Sequence, residues 1–162
     1  MPVFTKILVP VDFSGASRQA LERALQIGKV CAAPVDLLHV WEPPNYLTPD
    51  VMLSVPGWSA ISLEEFSVRE ARKAVQIFLD GADHPNLAAS TRIDSGEPAA
   101  TILRVAREGG CDLVVMGTHG HSRLHRFFLG SVAHRVVAES PVPVLTVRGP
   151  EALAEDRRHA TG

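Results

Sequence analysis

Short apolar runs recur along the chain, and between them the apolar positions fall at helical steps. Ile7-Leu8-Val9-Pro10-Val11 is almost continuously apolar, which suits a strand buried on both faces. Beyond Asp12, Ser14 can cap a helix whose apolar positions Ala20, Leu21, Ala24, Leu25 and Cys31 recur every three or four residues, ending near Ala32 ahead of Pro34. Val35 to Val40 forms a second strand. Ser62-Leu63-Glu64-Glu65 has the spelling of a capping box and opens a helix striped by Phe66, Ala71, Ala74, Val75 and Phe78, closed by Gly81. A weaker strand near Leu87 to Ile93, a helix from about Pro98 to Glu108 and a strongly apolar strand, Asp112 to Met116, follow. A last helix, Ser131 to Glu139, precedes the strand Val142 to Val147.

Strands alternating with helices predict right-handed crossovers and a doubly wound, five-stranded parallel sheet covered on both faces. Two segments fall outside this rhythm. Trp41 to Gly57 carries Pro43, Pro44, Pro49 and Pro56 and fits either a lid or an ordinary surface excursion. Residues 149–162 are charged and poor in apolar side chains, which makes them a disordered tail on a domain of residues 1–148.

Composition narrows the function classes. With 162 residues and 46% apolar content, the chain makes one domain with enough interior for a sheet and its helices. Sixteen basic against 18 acidic residues leave a formal charge of −2, so no field gathers nucleic acid or an anionic membrane, and neither is an expected partner. Cys31 and Cys111 lack any ligand or disulfide spacing, and no signal peptide or membrane span is spelled, which together suggest the cytoplasm.

In open parallel sheets, ligands collect outside the carboxyl ends of strands where the strand order reverses. There the first strand delivers Pro10-Val11-Asp12 and the strong fourth strand delivers Met116-Gly117-Thr118-His119-Gly120. A loop, His121 to Leu129, then leads to Gly130-Ser131 at a helix start. Such a start offers unpaired N–H groups and a positive dipole end, which suit phosphate. Arg123 and Arg126 could add charge-assisted bonds, or be surface charges. Gly117 and Gly120 equally fit a tight turn, and Asp12 equally fits a helix-start residue serving the N–H groups near Ser14. His119, His121 and His125 lack the cysteines or carboxylates of a metal site. Phe127 and Phe128 read as anchors for the loop. No GxxxxGK[ST] and no GxGxxG after a strand occurs, so neither common phosphate motif applies.

The spelling Gly117-x2-Gly120-x9-Gly130-Ser131 after Asp112-Leu113-Val114-Val115-Met116 resembles the nucleotide-binding motif of the universal stress protein family. Ile7 to Ser14, Gly96-Glu97-Pro98-Ala99 and Ser140 to Val147 extend the resemblance over about Phe4 to Arg148. It implies an adenine nucleotide alpha hydrolase-like fold with strand order 3-2-1-4-5, a homodimer through Val142 to Val147, and ATP, with magnesium, as ligand. By the same resemblance Asp12 would hold the ribose hydroxyls or a metal-bound water, and the Val40 backbone would meet adenine. Pro10 and Met116 would line the base pocket. Gly117, His119 and Gly120 would approach ribose and phosphates, and Gly130, Ser131 and Val132 would donate to the phosphate chain. Ala133 departs from the pattern, replacing a second hydroxyl residue, at a cost of about 1 kcal/mol for one lost hydrogen bond. The function implied is an ATP-binding regulatory switch in the stress response. A slow ATP hydrolase and a nucleotide-free dimeric interaction protein are the alternatives, and efficient catalysis is not expected, because Asp12 and His119 have no readable catalytic partners.

Overall fold

The computed structural model describes residues 3–44, 50–54, 56–57, 59–80, 90–118 and 129–150. In chain order its elements are β1 (Ile7–Pro10), α1 (Gly15–Cys31), β2 (Val35–Trp41), β3 (Met52–Leu53), β4 (Ile61–Ser62), α2 (Leu63–Asp80), β5 (Thr91–Ser95), α3 (Pro98–Glu108), β6 (Leu113–Gly117), α4 (Ser131–Glu139) and β7 (Val144–Val147). Five of the strands form one parallel sheet in the order β5-β2-β1-β6-β7. Counted within that sheet, the order is the expected 3-2-1-4-5.

The continuous apolar run of β1 occupies the middle of the sheet, and Ile7, Leu8 and Val9 are at most 1% exposed. Alternation along the central strands divides their side chains between two cores. Ile7, Val9, Val11, Leu37 and Val115 pack with Ala20, Leu21 and Ala24 of α1 and Val75 and Phe78 of α2. Leu8, Leu38, Val114 and Met116 pack with Ile102, Leu103 and Ala106 of α3 and Ala133 and Val136 of α4. The result is a three-layer sandwich, with α1 and α2 on one face and α3 and α4 on the other.

The helices start where their capping residues stand. Ser14 Oγ accepts from the Ser17 N–H at 3.2 Å, Ser62 Oγ from the Glu65 N–H at 3.1 Å, and α3 begins on Pro98 behind the Glu97 carboxylate. Both edges depart from their apolar spelling, and residues 87–89 of the expected third strand lie outside the described residues. β5 begins at Thr91 and carries exposed polar residues, while Ser140, Pro141 and Pro143 delay β7 until Val144. The Trp41 to Gly57 segment carries a departure from the expected pattern: β3 pairs antiparallel with β4 as a separate two-stranded sheet. Gly149 and Pro150 lie against Gly15 and Ala16 at the start of α1.

Candidate functional site

The chain leaves β1 for β2 on one side of the sheet and later returns on the other through β6, so the strand order reverses between β1 and β6. Their diverging carboxyl ends open the crevice that such sheets offer a ligand. On the β1 side, the turn into α1 is tightly specified. The Val11 N–H donates to the Leu38 carbonyl at 2.8 Å, the Ser14 N–H donates to Asp12 Oδ1 at 3.0 Å, and Phe13 between them adopts a left-handed φ of 66°. That region is uncommon for a bulky residue and marks a locally strained turn. Asp12 therefore serves the helix start and also faces the crevice.

On the β6 side, Gly117 ends the strand against the first turn of α1. A Cβ at Gly117 would stand 2.8 Å from Ala16 Cβ and 3.0 Å from Ala16 carbonyl carbon. Close approach of the helix, before any ligand is considered, therefore requires glycine here. The Thr118 N–H donates to the Val147 carbonyl at 2.9 Å, and the Thr118 carbonyl accepts from the Gly130 N–H at 2.7 Å. These bonds pin the start of α4 to the end of β6. Gly130 is its N-cap and supplies no side-chain cap, whereas α1, α2 and α3 each have one. The first N–H groups of α4 have no partner within the helix, and Ser131, Val132 and Ala133 line the crevice.

The third wall comes from β2 and α3. Residues of β2 alternate in the side to which their backbone points: Leu37 and Trp41 bond towards β5, Leu38 towards β1. The β1 ladder stops at the pair Pro10 and Leu38, so the N–H and C=O of Val40 point towards the gap beyond the end of β1. Glu97 caps α3 through the Ala99 and Ala100 N–H groups and joins Arg135 of α4 at 2.7 Å. The Ala100 N–H, ahead of Ala99 and Arg135, holds the Glu97 carboxyl below its ordinary pKa despite partial desolvation. The open crevice holds a cavity of about 280 Å³, with Pro10, Leu38, Val40, Ile102 and Met116 as its apolar wall.

The sequence model of the universal stress protein family matches residues 4–148. The chain belongs to this family. Universal stress protein YxiE of Bacillus subtilis is 34% identical over 148 residues, covering 90% of this chain and 100% of that one. Among solved structures, universal stress protein UspA from Lactobacillus plantarum superposes with a TM-score of 0.66 at 31% identity, covering 89% of this chain and 97% of that chain. A universal stress protein in complex with cAMP gives 0.55 at 25% identity, covering 89% and 96%.

Within this universal stress protein fold, ten of the candidate site residues converge on the cavity: Pro10, Val11, Asp12, Val40, Met116, Gly117, Gly130, Ser131, Val132 and Ala133. His119, Gly120, Arg123 and Arg126 lie outside the described residues. The cavity is also lined by Ser17, Leu38, Pro98, Ile102 and Thr118, which sequence reasoning did not single out. Pro98 lay within the Gly96-Glu97-Pro98-Ala99 spelling, and Thr118 within the turn after β6. Ser17, Leu38 and Ile102 left no signal, since each reads as ordinary helix or core. Among the described residues, no cluster of three His, Cys, Asp or Glu side chains could hold a metal, and no helix is long and apolar enough to cross a membrane.

Proposed function

We propose that this protein binds an adenine nucleotide, ATP, at the carboxyl ends of β1, β2 and β6, and that occupancy acts as a regulatory switch. The observation carrying this reading is the sequence of groups around one cavity: the open backbone edge of Val40, the Asp12 carboxylate, and the uncapped first turn of α4. A backbone N–H beside a C=O complements adenine, which offers N1 as acceptor and its N6 amine as donor. Guanine presents the opposite pair at these points. Asp12 accepts from ribose hydroxyls, and the N–H groups at Ser131, Val132 and Ala133 take phosphate oxygens with the help of the helix dipole. The cAMP-bound relative supports an adenine nucleotide as the ligand class.

Asp12 is the one carboxylate among the described residues lining the cavity. That suits magnesium held chiefly by phosphates and water, with Asp12 acting through a water. Nucleotide occupancy changes the surface around the mouth, and a partner reads that surface. The same reading includes a homodimer through β7, the sheet's outer strand, where Leu145 is 39% exposed and, among the described residues, only β6 pairs with it. Sedimentation should show a dimer that Leu145→Glu dissociates, and a monomeric wild type would reject it.

The test of binding is calorimetric titration of nucleotide-free protein with MgATP, with Gly130→Val as control. Gly130 has φ −57° and ψ 155°, open to any residue, so valine adds bulk at the phosphate subsite without backbone strain. Micromolar binding lost in the variant is expected. No heat from the folded wild type would overturn the reading.

A further inference from the structure

His39 stands outside the cavity, on β2, yet touches the turn that carries Asp12. Its Nδ1 lies 2.9 Å from the Val11 carbonyl oxygen. A carbonyl can only accept, so Nδ1 must carry the proton. The ring also stacks on Phe13, with centroids 4.5 Å apart and planes tilted by 30°. Phe13 meets Phe78 edge-on at 5.7 Å, and the Arg18 guanidinium covers the other ring, 4.3 Å from its centroid, while bonding the Phe78 carbonyl at 2.9 Å. Asp12 thus lies between two neighbours that His39 holds, one by a hydrogen bond and one by a ring.

This arrangement answers a physical need. Phe13 at φ 66° persists only where surrounding contacts hold it there. Released, it would relax towards negative φ, and the turn that aims the Asp12 carboxylate would change with it. We infer that His39 is a positioning residue for the nucleotide site, setting the direction of Asp12 through the Val11 carbonyl and the Phe13 ring. The inference rests on the nucleotide reading above and adds a residue that makes no contact with the ligand.

The test is a double-mutant cycle in ATP affinity. His39→Leu should weaken binding about fivefold to tenfold, the scale of one lost hydrogen bond. It should weaken binding further by less than about twofold once Asp12→Ala is present, since its route runs through Asp12. His39→Asn, whose side-chain amide can replace the Nδ1 donor, should recover most of the loss. Phe13→Leu, which removes the ring but leaves the histidine bond, should show the same dependence on Asp12 and serves if His39→Leu does not fold. Equal losses with and without Asp12 would overturn the inference while leaving ATP binding intact. Failure of the wild type to bind would overturn both. Ligand-free protein supplies a further check: ring nitrogen NMR should find His39 protonated at Nδ1, and an unprotonated Nδ1 would overturn the inference.

Discussion

Gly117→Ala should destabilise the fold through crowding alone. The new methyl would stand 2.8 Å from Ala16 Cβ, 3.0 Å from Ala16 carbonyl carbon and 3.1 Å from Ser17 nitrogen. Ordinary contact begins near 3.4 Å, so strand and helix must separate by about 0.6 Å, and two of the three opposing atoms are backbone that cannot rotate aside. Overpacking of this kind costs about 1–3 kcal/mol. For a domain of this size each kcal/mol lowers the melting temperature by about 2–4 °C, so a fall of about 4–8 °C is expected at the middle of the range. Thermal and urea unfolding of the pure variant would measure it. Ala16→Gly in the same chain removes the closest contact and leaves the two backbone ones. The double variant should therefore be more stable than the sum of the single changes implies, but below wild type. A Gly117→Ala protein within about 0.5 kcal/mol of wild type, or single changes that simply add, would refute the claim that α1 dictates this glycine.

Other outcomes can be checked with equal directness. Asp112 is held below its ordinary carboxyl pKa first by the Thr5 hydroxyl and then by the Lys6 N–H. Its contribution should be fully present above the unfolded value of about 3.9 and fade as pH falls through the lower folded value. Asp112→Asn should then lower the urea midpoint at neutral pH, with the gap narrowing in acid. GTP should bind at least about tenfold more weakly than ATP in calorimetry, because guanine would set donor against donor and acceptor against acceptor at Val40. Cys31 is half-buried and Cys111 buried, with its thiol pKa raised by desolvation. Mass spectrometry after limited alkylation should find Cys31 modified first.

Much of the frame was legible because its signals are local. The run from Ile7 to Val11 could only be satisfied in the middle of a covered sheet, and Pro98 and Gly130-Ser131 mark helix starts that α3 and α4 obey to the residue. The edges were less legible. Thr91-Arg92-Ile93-Asp94-Ser95 is held as a strand by pairing with β2 more than by an apolar face, so its apolar content is a weak guide to its end at Ser95. The β3 and β4 pair is only two residues long on each side and lay within or beside a proline-rich stretch that hid it. At the cavity, ten residues that the spelling singles out come together, for reasons the spelling carries only in part. Gly117 fits a turn or a ligand's approach by spelling, and in the fold it also gives Ala16 room. Asp12 fits either a ligand or a helix start by spelling, and its carboxylate accepts from the Ser14 N–H while facing the cavity. The left-handed Phe13 and its support by His39 depend on contacts between distant elements, which no local pattern encodes.

The most direct measurement is the amide NMR spectrum of nucleotide-free protein during titration with MgATP, read residue by residue. Saturable shifts should concentrate at Val40, Asp12, Gly117 and Ser131 to Ala133, around the cavity between β1, β2 and β6. Shifts confined elsewhere, for example to the groove of Arg72, Gln76 and Thr91 beside α2 and β5, or no shifts at all, would contradict nucleotide binding at this site.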